Sequence, residues 1–268
     1  MVPLLCTVRE CALPLAREER RWLCAKGHSF DIARSGYTNL LQPQDRRSSH
    51  PGDSADAVAA RRRFVDARHD AAIVQRIVEI ATPLATGPIL DAGCGDGHYL
   101  GAMHVASCGE ADGVDISVPA IDAAAKRHRD CRFVVANADR FLPYANHSFA
   151  LVTSITARVN PEEFRRVVRD DGALLVALPA PDDLLELRAA VLGSGEECDR
   201  SERTIESLRG SFALVSRERV TQRVTLDHAA MLDVMTSSYR GLRLREQEKL
   251  AQLTSMDVTL SRDVLVFR

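Results

Sequence analysis

Short apolar runs alternate with longer segments of helical period through most of the chain, an alternation that predicts a parallel sheet flanked by helices. The runs at 88–91, 112–116, 132–136, 149–154 and 173–178 are β-capable and bounded by turn residues, so they read as strands. Between them, 119–127 and 161–168 read as helices, and Asp170-Asp171-Gly172 reads as a turn. Ahead of the first strand, Ile73, Ile77 and Ile80 recur at helical spacing, and an earlier helix through Ala60 to His69 has Ser54 as its N-cap. After the fifth strand come a helix at 182–192, a strand-like alternation at 212–226, a helix at 227–236 and a terminal strand at 257–267. The two late strands are expected to pair at the sheet edge. Residues 31–41 show no clear period and read as a folded loop, and 42–50, polar and proline-containing, as a flexible crossing.

The chemistry-bearing stretch is Ile89-Leu90-Asp91-Ala92-Gly93-Cys94-Gly95-Asp96-Gly97-His98-Tyr99. A strand ending on an acid, three glycines at alternate positions and a helix start leave backbone amides open to a nucleotide-like cofactor. The spacing is not the G-x-G-x-x-G of dinucleotide sites, and an acid ahead of the glycines suits a smaller ligand that carries a cation. The next strand ends at Asp115, followed by Ile116, and an acid there can accept hydrogen bonds from both ribose hydroxyls. A glycine turn that binds nothing is the bland alternative. Asp91, Gly93, Gly95 and Asp115 together resemble the class I S-adenosylmethionine-dependent methyltransferases. The resemblance implies a Rossmann-like, doubly wound α/β sheet of seven strands. It also implies cofactor contacts from Asp91, Gly93, Gly95, Asp96, Asp115, Ile116 and Asn137, the last where the class often places a group against the adenine.

The N-terminus carries Cys6-x4-Cys11-x12-Cys24-x3-His28. Three thiolates and an imidazole in two close pairs suit a closed tetrahedral zinc site, and so short a module would draw its folding energy from the metal. Free cysteines beside a surface histidine are the alternative. Running on into His28-Ser29-Phe30-Asp31 and Gly36-Tyr37-Thr38-Asn39-Leu40-Leu41, the module resembles the opening of the bacterial 23S rRNA (guanine-N1-)-methyltransferases, some of which confer macrolide resistance. Pro51-Gly52-Asp53-Ser54 and Ala60-Arg61-Arg62-Arg63-Phe64 are similar to that family's linker and first helix. The expected organisation is a zinc-binding module over 1–41, a linker with helices over 42–84, and a methyltransferase domain over 85–268.

Composition narrows the setting. With 268 residues and 46% hydrophobic content the chain can bury a full core, and a net charge of −2 leaves no overall basic surface. The first 70 residues hold 12 Lys/Arg against 9 Asp/Glu, a surplus of only three. Arg61-Arg62-Arg63 and Arg46-Arg47 could touch RNA phosphates or form a solvated face, and Arg240, Arg243, Arg245 and Lys249 form a second basic set, partly cancelled by Glu246 and Glu248. No apolar run approaches the roughly 20 residues that span a bilayer, and the N-terminus lacks a long apolar core, so a cytoplasmic protein with no membrane partner is expected. Seven cysteines, with Cys94, Cys108, Cys131 and Cys198 scattered singly, do not form a secreted disulfide framework.

The implied activity is methyl transfer from S-adenosylmethionine to a guanine N1 of 23S ribosomal RNA, with the zinc module gripping the RNA and possible self-association as a homodimer. Four positions depart from the family pattern. Thr156-Ala157-Arg158 stands where the family has an aromatic-Ala-Pro turn facing the target base, Asp70 ends a stretch that in the family is Gly-His-Tyr with the tyrosine near the cofactor, and Asp183 replaces a family histidine that the resemblance also places by the cofactor. Asp70 and Asp183 are the candidate proton acceptors only through those positions, and no catalytic base is assigned. Two other readings stay open: a non-catalytic protein that binds cofactor and RNA, and a methyltransferase whose substrate is not RNA.

Overall fold

The computed structural model describes residues 1–46, 51–193, 199–238 and 243–268. Arg47, Cys198 and Arg240, named above, lie outside the described residues. The chain opens with three short strands, β1 (Leu15–Arg17), β2 (Arg21–Cys24) and β3 (Ser29–Asp31), which form an antiparallel sheet in that order. β4 (Thr38–Asn39) follows, then helices α1 (Ala55–Asp66) and α2 (Ala71–Ala81). The alternating body comprises β5 (Ile89–Ala92), α3 (His98–Ser107), β6 (Ala111–Asp115), α4 (Val118–Arg127), β7 (Arg132–Val135), β8 (Phe149–Ile155), α5 (Pro161–Val167) and β9 (Val168–Pro179). It ends with α6 (Leu185–Leu192), α7 (Ser201–Leu208), β10 (Leu214–Asp227), α8 (His228–Ser238), α9 (Leu244–Ala251) and β11 (Ser255–Phe267).

The main sheet runs β10-β11-β9-β8-β5-β6-β7-β4, with every pair from β9 to β4 parallel and β11 antiparallel to both β9 and β10. Its order reverses between β5 and β8. Ligands of open parallel sheets bind at such a switch point, outside the carboxyl ends of the strands. Seven strands and their pairing follow the expected pattern, and β4 adds an eighth.

β4 is a correction to the reading of 31–41 as a loop. Two residues with no period carry no sequence signal, and they become a strand only because β7 is beside them, with Leu40 N–H donating to Val135 C=O at 2.9 Å. The expected turn at 170–172 is likewise extended strand: β9 begins at Val168, which pairs with Phe149 across an irregularity. Gly172 fits there because a Cβ would come within 3.0 Å of the Ala150 carbonyl. Two short helices, α7 and α9, were not expected, and α9 carries Arg245 and Lys249 of the second basic set.

Each face of the sheet has its own core. On one face Ile73, Ile77, Leu100, Ile121, Leu187 and Met231 bring α2, α3, α4, α6 and α8 onto the strands. The other face buries Phe164 of α5 and Leu208 of α7 together with Val2, Leu4, Leu15 and Trp22, so the N-terminal module shares its core with the sheet. Leu5 N–H donates to Pro143 C=O at 2.9 Å, and Arg140 donates to the Thr7 carbonyl at 2.8 Å. The firmest tie is the cross-strand pair Asp112 and Arg132, facing one another on β6 and β7. The Arg132 guanidinium also donates to the Val2 carbonyl at 2.6 Å and stacks over the buried Tyr144 ring. No helix among the described residues is long and apolar enough to cross a membrane.

Removing one member of a buried ion pair strands the other. Arg132→Met should destabilise the protein by about 3–5 kcal/mol in urea unfolding, whereas Asp112→Asn combined with Arg132→Met should recover most of that loss.

Candidate functional site

β5 is buried at all four positions, and the turn after it runs through Gly93, Gly95 and Gly97 at φ of 85°, 54° and 77°. Glycine at 93 is enforced twice, because a Cβ there would lie 2.3 Å from the Ala157 Cβ. The amides of Gly93 and Cys94 donate to the Val114 carbonyl, which locks the turn to β6 before α3 starts at His98.

The acids of this turn have distinct settings. Asp91 is buried and accepts from the Thr153 hydroxyl at 2.8 Å, yet burial pushes its carboxyl up to about 7 against that hydrogen bond. Asp115 accepts from Gly95 N–H at 2.9 Å through one oxygen and from Ser117 N–H at 2.8 Å through the other. Burial raises its carboxyl as well, and these two amides oppose the shift. The Ser117 hydroxyl caps α4 and donates to the Asp53 carbonyl at 2.7 Å, which draws the 51–54 linker over the end of β6. Asp96 is buried and lines the cavity described next. Ile116 is half-buried against the helix-covered core. The Asn137 amide donates to the Asp45 carbonyl at 3.0 Å and its oxygen accepts from Asp139 N–H at 3.0 Å, so its side chain ties down the 43–46 segment; Asp91, Gly93 and Asp96 line the cavity, whereas Gly95, Asp115, Ile116 and Asn137 do not.

A cavity of about 380 Å³ opens above the switch point. Its floor is the glycine turn and its roof is formed by α1 and α8, which are clamped by Arg63 on Asp233 through contacts of 2.5–3.1 Å. Asp91, Gly93 and Asp96 stand on the β5 side. Thr156, Pro179, Asp183 and Arg262 stand on the side of β8, β9 and β11. Thr156 holds φ of 54°, an outlier for a β-branched residue, with its N–H donating to Ala177 C=O. Arg158 is 74% exposed and pairs with Asp139 at 3.3 Å, away from the cavity.

Asp70 and Asp183, both in the cavity wall, differ in their partners. Asp183 accepts through Oδ1 from both Ser261 N–H at 2.9 Å and Arg262 at 2.5 Å, so that oxygen is committed. Asp70 faces His98 at 3.8 Å and leaves its buried Oδ1 without a hydrogen bond. Burial raises the Asp70 carboxyl, opposed by His98, and lowers the His98 imidazole, opposed by Asp70 and Asp96. His98, Tyr99 and Arg262 were not singled out as site residues from the sequence, and Arg61 only as a candidate phosphate contact. Arg262 did leave a signal, as a charge interrupting an otherwise strand-like run. The Arg61-Arg62-Arg63 run does not present one solvated face: Arg61 lines the cavity, Arg62 pairs with Asp66 at 3.8 Å and Arg63 clamps the roof.

In the module, ligand atoms of Cys6, Cys11, Cys24 and His28 all lie within 4.8 Å of one another. Cys6 Sγ and Cys24 Sγ each sit 3.4 Å from His28 Nδ1, and Cys11 Sγ sits 3.9 Å from Cys24 Sγ. A tetrahedron with metal–sulfur bonds of about 2.3 Å has edges near 3.8 Å, so the donors fit a zinc ion. All six described cysteines are free.

Glycine turn, strand order and the acid at the end of β6 define a class I methyltransferase. The family profile for a methyltransferase domain matches residues 89–175, and that for the RlmA N-terminal zinc ribbon matches residues 5–49. Solved structures with this fold include the YcgJ protein from Bacillus subtilis, at a TM-score of 0.52 and 17% identity over 73% of this chain and 97% of that one. A putative methyltransferase from Bacillus halodurans follows at 0.51 and 16%, over 71% and 97%. Among named relatives, the 23S rRNA (guanine(748)-N(1))-methyltransferase of Streptomyces fradiae is 35% identical across 96% of this chain and 94% of its own length. The putative 23S rRNA (guanine-N(1)-)-methyltransferase YxjB of Bacillus subtilis is 30% identical across 90% and 88%. The chain belongs to the family of 23S rRNA (guanine-N1-)-methyltransferases.

Two outcomes are expected at these sites. With its carboxyl raised in the fold, Asp91 contributes stability that is present below about pH 4 and lost as pH rises through about 7. A cationic ligand beside it reverses the preference, so affinity for S-adenosylmethionine should rise with pH up to about 7 and then level. Calorimetry in buffers of different ionisation enthalpy should detect the released proton, and Asp91→Asn should abolish the slope. In the module, Cys24→Ser should cut the zinc content measured by elemental analysis and expose 5–39 to protease while the main sheet stays protected; full zinc retention would rule out that ligand.

Proposed function

We propose that this protein transfers the methyl group of S-adenosylmethionine to N1 of a guanine in 23S ribosomal RNA, in the cytoplasm. The observation that carries this is similarity along the whole chain, module and sheet together, to a protein named for that reaction.

Bound in the cavity, S-adenosylmethionine supplies a methyl group on a sulfonium sulfur, already activated for displacement. In our assignment the Gly93 and Gly95 turn, with Asp91, Asp96 and Ile116, holds it, and Asp115 takes the ribose hydroxyls. Asp115 suits that role because each carboxylate oxygen holds only one backbone amide and keeps an acceptor site. Asn137 is left out of this set, since its amide is already engaged. The enzyme's main contribution is to orient two reactants, worth up to about 7–11 kcal/mol in favourable cases. Guanine N1 carries a proton at neutral pH, and of the two acids weighed from the sequence, Asp70 is the better acceptor. Its buried oxygen lacks a partner, whereas Asp183 is held by Arg262.

Residues 1–41 act in this reading as a zinc-binding grip on RNA, with Cys6, Cys11, Cys24 and His28 as ligands. Arg9, Arg17, Arg20 and Lys26 are exposed on that module and suit phosphate contacts. A target base must be unpaired or flipped to reach the cavity, and a single-stranded loop makes that inexpensive.

Incubation with methyl-labelled S-adenosylmethionine and unmodified 23S rRNA, then digestion and nucleoside mass analysis, should place label in 1-methylguanosine. Asp70→Asn should lower that label by 100-fold or more with cofactor affinity retained, in line with the usual worth of general base catalysis. Label in another nucleoside, or none with cofactor bound, would refute the assignment.

A further inference from the structure

The switch point divides the cavity into two halves. The glycine turn occupies the β5 side, which leaves the ends of β8, β9 and β11 for the second reactant. On that second side stands a half-buried arginine. Arg262 projects from β11 opposite Pro179 of β9, and its Nη1 is held by Asp183 at 2.5 Å and by the Ser261 carbonyl at 2.8 Å. Asp183 is itself pinned by Ser261 N–H at 2.9 Å, so the pair is rigid. The Arg262 Nε is buried with no hydrogen-bond partner. A charged donor left unmatched in a low-dielectric wall is costly, and such groups in native proteins call for an explanation. Burial works against the Arg262 charge, and Asp183, Tyr99 and Asp70, the titratable groups around it, outweigh that effect.

The Watson–Crick edge of guanine offers an acceptor at O6 next to donors at N1 and N2. The unmatched groups of the cavity wall, which also include Arg188 Nε and His98 Nε2, contain the complement: a donor on Arg262 and an acceptor on Asp70. Removing the N1 proton drives negative charge onto O6, and a preorganised donor at that atom stabilises it as an oxyanion hole does.

Building on the function proposed above, we propose that Arg262, positioned by Asp183, receives O6 of the target guanine, selecting guanine and stabilising the base as it loses its N1 proton. The N1 proton passes to the Asp70 carboxylate. The N1 electron pair forms the new N–CH3 bond while the pair of the breaking S–C bond stays on sulfur, leaving a neutral thioether. Asp183 is a positioning residue, since it acts through Arg262.

Three variants test this: Arg262→Gln, Arg262→Lys and Asp183→Asn, each checked for folding by thermal melting. Calorimetry with S-adenosylhomocysteine reads the cofactor half, and single-turnover transfer to a 23S rRNA fragment between about pH 6.5 and 9.5 reads the guanine half. Arg262→Gln should keep S-adenosylhomocysteine affinity within about twofold and slow transfer at pH 7 by about 100-fold, the usual effect of removing one such donor. The deficit should shrink as pH rises, because solvent base then removes the N1 proton unaided. Arg262→Lys, which keeps the charge that Asp183 needs, should fold and lose less, and Asp183→Asn should show the same pH-dependent deficit at smaller size. An affinity for S-adenosylhomocysteine that falls in step with transfer would make Arg262 a cofactor anchor and overturn the proposal. A deficit equal at every pH would make its role structural and overturn it too. Absence of 1-methylguanosine from the wild-type protein is a separate result that sinks the underlying function, and this inference with it.

Discussion

One carboxylate joins the segments that make the site. Asp115 holds the glycine turn through Gly95 N–H and the start of α4 through Ser117 N–H, and the Ser117 hydroxyl then reaches the Asp53 carbonyl in the linker. Three loops distant in sequence are therefore registered against one another by two charge-assisted bonds and one hydroxyl. Gly52 belongs to the same arrangement, since a Cβ there would come within 2.7 Å of the Ser117 Cβ. The linker, which reaches the cavity through Asp53, thus depends on the strand-end acid Asp115. Buried acids tolerate such a role only when hydrogen bonds replace the lost water, and Asp115 has them on both oxygens.

The N-terminal module is built into the sheet. Its apolar residues fill one face, and the Asp112 and Arg132 pair fastens Val2 to β6 and β7. β4 then continues the sheet beyond β7. A single zinc ion held by Cys6, Cys11, Cys24 and His28 would supply local order in so small a module, while the shared core fixes its position relative to the cavity. An RNA held by the module would accordingly meet the methyltransferase sheet in a set orientation, which is how a reaction that needs near-attack geometry gains from a separate gripping element.

The departures from the family pattern fall around one cavity. Thr156, Asp70 and Asp183 all line it, and Arg158 stands outside, paired with Asp139. Where the pattern has a ring facing the target base, this chain has a strained threonine, and the aromatic rings in the wall are Phe64 and Tyr99 from other elements. The charges compensate as well: the acid at 183 balances Arg262, and the acid at 70 faces His98. Each of these changed acids has a basic partner elsewhere in the cavity wall.

The sequence by itself determined the alternating fold, the glycine turn with Asp91 and Asp115, and the four zinc donors. Each of those signals is local, set by period, by backbone conformations that only glycine adopts easily, or by ligand spacing within a few dozen residues. Tertiary structure alone decided the rest. It made a strand of Thr38–Asn39 through β7 and turned Asn137 toward Asp45. It split Arg61, Arg62 and Arg63 among a cavity, a surface pair and a clamp on Asp233. It also brought Arg262, from the last strand, beside Asp183 and across from Asp70. Apart from Asp66, four residues from Arg62, the partners in these cases lie tens to hundreds of residues away, and the burial that gives a charge its meaning exists only once the sheet has closed.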